Sequence, residues 1–300
     1  MLPIAAVMTA VVSWGFGSAL IKLTSINGPT LAFYRLWLGV MALGICMLVV
    51  RQPLRWSTMR WAGPAGIIFA LNMLLFIGSI KHTTVANTTL IGALQPAMVL
   101  FVAGPLFGEV VGRREIGCVA GAIAGLILFI IGASGSPEWS LVGDLMAVAA
   151  VVAFTGYFLI SKQARSSIDT LEYMVGVHLA AAMVITPFAL RDPGDLTALD
   201  RQDVAILIFF AFVSGTLGQM LIAWAHRYVD VTVSSLLMLG VPIVAAISAW
   251  VLLDEPLGAL QIAGGALTIA ALALIATRPP SSRIDPVESA SGVVEPGRSP

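Results

Sequence analysis

From residue 3 to residue 277 the chain alternates long apolar runs with short polar clusters. A helix needs about 20 mostly apolar residues to cross a bilayer. The runs predict helices over 3–22, 30–50, 61–80, 84–107, 114–133, 141–160, 170–190, 203–226, 230–252 and 259–277. The clusters between them are helix breakers, such as Asn27-Gly28-Pro29, Arg51-Gln52-Pro53, Gly135-Ser136-Pro137, Asp192-Pro193-Gly194 and Asp254-Glu255-Pro256. Links this short make successive helices antiparallel. The expectation is an all-α integral membrane protein with ten transmembrane helices. The stretch 278–300 is rich in Pro, Ser, Gly and charge, and predicts a disordered tail.

Composition makes the bilayer the necessary solvent. Apolar residues are 58% of the 300 and charged residues 11%, against about 25% charged in a soluble domain. The first run lacks a basic leader and an A-x-A-like site, so it reads as a membrane helix rather than a signal peptide. Net charge is zero and no basic stripe occurs, which excludes nucleic acid as a natural partner. Charge does fix an orientation. Arg51, Arg55, Arg60, Arg113, Arg114, Lys162, Arg165, Arg227, Arg278, Arg283 and Arg298 fall on one side. Lys22, Lys81, Arg191 and Arg201 fall on the other. Cytoplasmic loops carry the excess of Lys and Arg, so both termini are expected in the cytoplasm, with the chain in the plasma membrane. Cys46 and Cys118 have no metal-ligand spacing and read as small buried hydrophobes. No metal or cofactor is implied.

The two halves repeat. Leu90, Pro96 and Glu109 recur as Leu236, Pro242 and Glu255, and Lys81 recurs as Arg227, at one common offset. Lys22 recurs as Lys162 with a slightly shorter one. Five helices per half is an odd number, so the second half enters from the opposite side and the halves are inverted repeats. Many transporters are built this way, with a site near the midplane. The expected units are 1–133 and 141–277. The stretches Pro96 to Glu109 and Pro242 to Glu255, with Trp14-Gly15, Arg35, Gly143-Asp144 and Ser161-Lys162, resemble the drug/metabolite transporter superfamily, EamA type. That resemblance implies ten helices, a central cavity and export of amino acids or other small organic metabolites. It leaves the substrate open.

Polar groups at membrane depth are expensive and each needs a reason. Arg35 lies inside the second helix. It is either a snorkelling or structural side chain or a contact for a carboxylate, which a guanidinium grips with two hydrogen bonds. His178 lies midway along the seventh helix, as hydrogen-bonded packing or as a proton relay. Asn72 and Gln95 sit near the midplane, and Gln219 is a weaker candidate. Pro96 and Pro242 each free a backbone carbonyl, so they are expected to bend their helices, at the cavity or as kinks filled by packing. Trp14 and Tyr157 are candidates for an aromatic wall; Trp224 fits that wall or the interfacial belt. Gly117, Gly121 and Gly125, echoed by Ala263 and Ala271, make a small-residue stripe, for packing within the chain or for a homodimer.

Three functions compete. A secondary transporter of small molecules leads. A lipid-headgroup or sugar-lipid flippase could use the same fold. A membrane-embedded enzyme would need a clustered nucleophile or metal site, whereas His82, His178 and His226 are scattered. No Walker motif is present for ATP-driven pumping.

Overall fold

A computed structural model describes residues 2–21, 23–24, 26–82, 88, 91–92, 94–107, 112–132, 140–191, 199–253 and 257–276. Among these residues the structure is helical and contains no strand. The elements are α1 (Leu2–Ile21), α2 (Gly28–Val49), α3 (Trp56–His82), α4 (Gln95–Phe107), α5 (Arg113–Ile131), α6 (Leu141–Arg165) and α7 (Thr170–Ala189). Then come α8 (Arg201–Ile208), a π-helical segment (Phe209–Leu217) and α9 (Gly218–Ala225), which join into one rod. The last are α10 (Val231–Leu237), α11 (Gly240–Leu253) and α12 (Ala259–Ala276). Glu109, Glu255, Lys22 and the expected tail 278–300 lie outside the described residues.

Six helical runs among the described residues are long and apolar enough to cross a membrane: Gly28–Val49, Trp56–Ser79, Leu141–Arg165, Thr170–Ala189, Arg201–Ala225 and Val231–Leu252. Their large apolar side chains point outward, including Met41, Ile45, Leu48, Ile67, Val152, Met183, Phe212, Trp250 and Val251. Small polar side chains such as Ser13, Thr155, Ser234, Ser235 and Thr268 are buried. This arrangement suits a bilayer, where the outer surface must be apolar and polar groups must pair inside. Cys46 follows the outward pattern and is exposed, contrary to the expectation of a buried thiol, whereas Cys118 is buried.

Local chemistry sets the helix starts. Asn27 accepts from the Thr30 amide with Pro29 in the first turn of α2. Ser140 accepts from Gly143 N while Asp144 reaches back to Ser140 N, a reciprocal cap for α6. Asp169 and Asp200 cap α7 and α8.

Besides the turn at Leu94 within the run 84–107 and the π segment within 203–226, three helices depart from the sequence expectation. The third starts at Trp56 rather than near 61, because the distant Glu172 carboxylate accepts from Arg55 N at 2.7 Å and Thr58 Oγ1 at 2.6 Å. The sixth runs on to Arg165 rather than 160, because Lys162 and Arg165 find carbonyl acceptors at Val229 and Ala223. The run 230–252 breaks at Met238 and Leu239, just ahead of Pro242.

Packing is dominated by a few pairs. α3 runs antiparallel to α6, with Asn72 Nδ2 donating to Ala150 O at 2.8 Å. It runs parallel to α7, where Ala62 meets Gly176 and Gly66 meets Ala180. α2 crosses α7 antiparallel, with Trp37 Nε1 donating to Thr186 Oγ1. α1 packs on α11 and on the π segment and α9. α5 and α12 pair antiparallel: Gly132 meets Leu260, while Arg114 reaches Leu274 O. A Cβ on Gly125 would lie 2.5 Å from Thr268 Oγ1 and 2.8 Å from Gly264 O. The small-residue stripe therefore serves this internal seam at Gly121 and Gly125, while Gly117 meets nothing within 4 Å.

Candidate functional site

The inner ends of several candidates converge where α2, α3, α6, α7 and the π segment meet. Arg35 enters from α2 and is half-buried. Its guanidinium carbon stands 5.8 Å from the centre of the Phe69 ring on α3. Its Nε is buried against Gly215, where a Cβ would come within 2.9 Å. Among the described residues the Arg35 guanidinium makes no hydrogen bond. Its charge reaches Tyr157 on α6 and His178 on α7.

An aromatic wall adjoins it. Phe69 and Tyr157 are 5.0 Å apart between ring centres, Tyr157 and Phe154 stack at 6.1 Å, and Trp14 lies 6.5 Å from Phe154. Trp14 and Tyr157 thus share one wall, to which Phe69 and Phe154 also belong. Trp224 does not join it; its ring packs on Tyr228 at 5.0 Å, close to the end of α9.

The π segment closes the other side. A π-helix widens the turn and leaves backbone groups for outside partners, and such segments recur at functional sites. Trp14 Nε1 donates to Ser214 O at 2.6 Å, and Ser13 Oγ to Val213 O at 3.4 Å. Apolar periodicity does not reveal a π segment. The one available signal was Ser214-Gly215-Thr216 with Gly218, a small-residue cluster inside an apolar run.

The remaining candidates are less uniform. His178 is 1% exposed; its Nδ1 lies 2.9 Å from Met174 O and its Nε2 has no partner. Gln219 is equally buried, and both of its amide atoms lack partners. Gln95 opens α4 and is buried with Nε2 unpaired. Asn72 differs, since its amide nitrogen is spent on stitching α3 to α6. Pro96 is the second residue of α4 and Pro242 the third of α11, each just after a turn, at Leu94 and at Met238–Leu239.

The two ends of the bundle hold their own polar contacts. At the arginine-rich end a cavity of about 280 Å³ is lined by Gln52, Arg55, Ser57, Thr58, Ser167, Ile168, Asp169 and Glu172. Burial alone would raise the Asp169 pKa. Hydrogen bonds from Gln52 and from the Leu171 and Glu172 amides, with the Arg165 charge, outweigh that and hold it below the usual value. At the opposite end Thr24 Oγ1 donates to Asp203 Oδ1 at 2.6 Å, and Gln202 to Leu23 O. A second hollow, about 510 Å³ and lined by Ile68, Leu71, Leu75, Ala149, Val152, Ala153 and Gly156, is an apolar groove between α3 and α6.

A multi-helix membrane bundle with an arginine beside an aromatic wall can be compared with known proteins. The model of the EamA-like transporter family matches residues 1–131 and again 141–277. The chain belongs to that family. A "Probable amino-acid metabolite efflux pump" of Salmonella typhimurium is 25% identical over 283 residues, which is 88% of this chain and 91% of that protein. The protein of the same name in Escherichia coli is 24% identical with the same coverages. Bacillus subtilis has an "Uncharacterized transporter YwfM" that is 25% identical, covering 91% of this chain and 93% of its own length. One solved crystal structure superposes with a TM-score of 0.77 at 17% identity, over 90% of this chain and 94% of that one. The EamA fold is thus shared well beyond sequence similarity. The EamA assignment makes this chain a multi-pass membrane transporter with a small-molecule substrate.

Proposed function

We propose that the chain is a secondary transporter that exports amino acids or related small organic metabolites by alternating access. Its site lies between two inverted five-helix halves and centres on Arg35. The observation that carries this reading is the Arg35 guanidinium, set deep in α2 without a hydrogen bond to any described residue. A charge left in that condition inside a membrane protein is costly. A substrate carboxylate would supply both the counter-charge and the two missing hydrogen bonds.

The packing supports the inverted halves. α1 runs antiparallel to the rod Arg201–Ala225 as α6 runs antiparallel to α3. α2 lies on the rod's π segment as α7 lies on α3. α2 with α7, and α5 with α12, pair antiparallel with each other, as elements on a two-fold axis in the membrane plane would. The breaks ahead of Pro96 and Pro242, two residues before the first and three to four before the second, fall close to equivalent places. The halves would rock about the central site, with Glu172 on Thr58 closing one end and Thr24 on Asp203 the other. The arginine-rich end is assigned to the cytoplasm of a plasma-membrane protein. The names of the Salmonella and Escherichia relatives favour export of amino-acid metabolites.

The test is resistance of cells overexpressing the protein across toxic amino-acid analogues and cationic drugs. Raised resistance to at least one carboxylate-bearing analogue is expected, and it should vanish with Arg35→Gln at equal membrane abundance. Unchanged resistance throughout, with the protein present in the membrane, contradicts the reading.

A further inference from the structure

His178 stands beside Arg35 with one nitrogen committed and one open. Its Nδ1 is 2.9 Å from Met174 O. A carbonyl oxygen can only accept, so Nδ1 carries the hydrogen, and in the neutral ring Nε2 presents a lone pair. No described group donates to that lone pair, although the ring is buried. The Thr216 hydroxyl, which also lies against Gly39, does not serve it, because Thr216 Oγ1 donates to Ala211 O at 2.7 Å.

The ring lies against Gly39, one helical turn (about 6 Å) along α2 from Arg35. A Cβ on Gly39 would fall 2.7 Å from His178 Cδ2, 3.2 Å from Nε2 and 2.9 Å from Thr216 Oγ1. The neighbouring Gly215 meets Arg35 Nε. A donor fork and an acceptor nitrogen therefore pack against two glycines at the same junction of α2 with the π segment, and Arg35 Nε and His178 Nε2 both lack a hydrogen-bond partner there among the described residues.

We propose that Arg35 and His178 together read a carboxylate that carries a hydrogen-bond donor on the adjacent carbon, as α-amino and α-hydroxy acids do. This rests on the transporter reading and adds the substrate class. Arg35 holds the carboxylate. His178 Nε2 accepts from the ammonium or hydroxyl beside it. Two hydrogen bonds of about 2.8 Å each, on neighbouring substrate atoms, are what such a ligand would make to the two groups. Phe69 and Tyr157 face any flat apolar part. Among the described residues Asp144, Glu172 and Asp203 sit at helix ends, away from this junction. The ammonium is thus read as a donor and not as a charge, so a hydroxyl should replace it with little loss.

The experiment measures binding to the purified full-length protein by intrinsic tryptophan fluorescence, with four phenyl-bearing probes. Phenylalanine and phenyllactate carry the donor; 3-phenylpropionate and phenylpyruvate lack it. The wild type should bind the first two at least about tenfold more tightly than the last two, since an unmet buried acceptor penalises the analogue that lacks its partner. His178→Phe should erase that ratio while 3-phenylpropionate still binds. Gly39→Ala, which pushes the ring aside, should shrink it independently. His178→Gln, which keeps an acceptor, should restore part of it. Equal wild-type binding of phenylalanine and 3-phenylpropionate overturns the proposal. So does binding of phenylalanine with exclusion of phenyllactate, which would mean that charge is read. Absence of binding by all four probes overturns it too, yet leaves the transporter reading standing if the resistance panel still shows export.

Discussion

Two arginines lie inside this bundle, and the protein treats them differently. Arg165 ends α6 and is 1% exposed. Its Nε donates to Ala223 O at 3.1 Å, its NH2 donates to Thr170 Oγ1, and the Asp169 carboxylate lies within electrostatic reach. It ties α6, α9 and α7 together. Arg35 is less buried, stands 5.8 Å from the centre of the Phe69 ring and makes no hydrogen bond among the described residues. The difference teaches that depth does not mark a site by itself. Arg165 still has one buried nitrogen, NH1, without a partner among the described residues, but a buried charge tied to two other helices by hydrogen bonds is a fastener. One left unmet beside an aromatic wall is available to a ligand.

Substitutions can break that contrast, and the largest effect is expected at Arg35. Arg35→Gln should lower export by about 100-fold, the scale of losing a bidentate, charge-assisted contact. Membrane abundance should stay near wild type, because no hydrogen bond within the fold is lost. Low abundance with normal export per molecule would make Arg35 a fastener as well.

Arg165→Met should do the reverse. It strands Ala223 O and Thr170 Oγ1, at about 1–3 kcal/mol for each buried group left unpaired. Folded protein in the membrane, followed by fluorescence-detected size exclusion, should fall severalfold. The remaining molecules should export normally. Export lost at full abundance would move Arg165 into the site.

Trp14→Phe sharpens the boundary of the site. It keeps a ring against Phe154 but loses the donor to Ser214 O. The net worth of such a bond is about 1 kcal/mol, so export should change by about fivefold, with abundance little altered. An unchanged rate would mean that the π segment needs no anchor from α1.

The smallest effect concerns acid stability at the arginine-rich end. The Asp169 pKa is held below its ordinary value of 3.8 in the folded protein. The stability this carboxylate contributes is therefore full above that value and is lost as pH falls through the lower folded one. Asp169→Asn should flatten the acid limb of a melting-temperature profile below pH 3.8 and leave neutral export intact. An unchanged acid limb would remove Asp169 from the fastening group.

The contrast between the two arginines also marks where the sequence was legible. Hydropathy placed α2 and α7 to within two residues and found the bodies of α3 and α6, because bilayer thickness acts on every residue of a run. It stopped the sixth helix before Arg165, since a basic residue after an apolar run reads as a loop. The carbonyls of Val229 and Ala223, distant in sequence, take up Lys162 and Arg165 and make helix possible there. The start of α3 was missed for the same reason, because its cap comes from Glu172. Arg35, His178, Gln219 and the Trp14–Tyr157 wall were visible as rare polar or aromatic types in apolar runs. Phe69, Phe154 and the π segment were not, because phenylalanine is ordinary in a membrane helix and a π turn has no period of its own. Asn72 was singled out by the same polar signal but is held by Ala150 O.

The most direct test is uptake of a labelled carboxylate substrate, chosen from the resistance panel, into liposomes holding purified protein. Wild type, Arg35→Lys and Arg35→Gln should be measured side by side at equal reconstitution. The expected result is saturable transport by the wild type, at least tenfold weaker transport by Arg35→Lys, which keeps the charge but loses the planar fork, and background flux for Arg35→Gln. Wild-type rate and affinity in Arg35→Gln would contradict the assignment of Arg35 to the substrate.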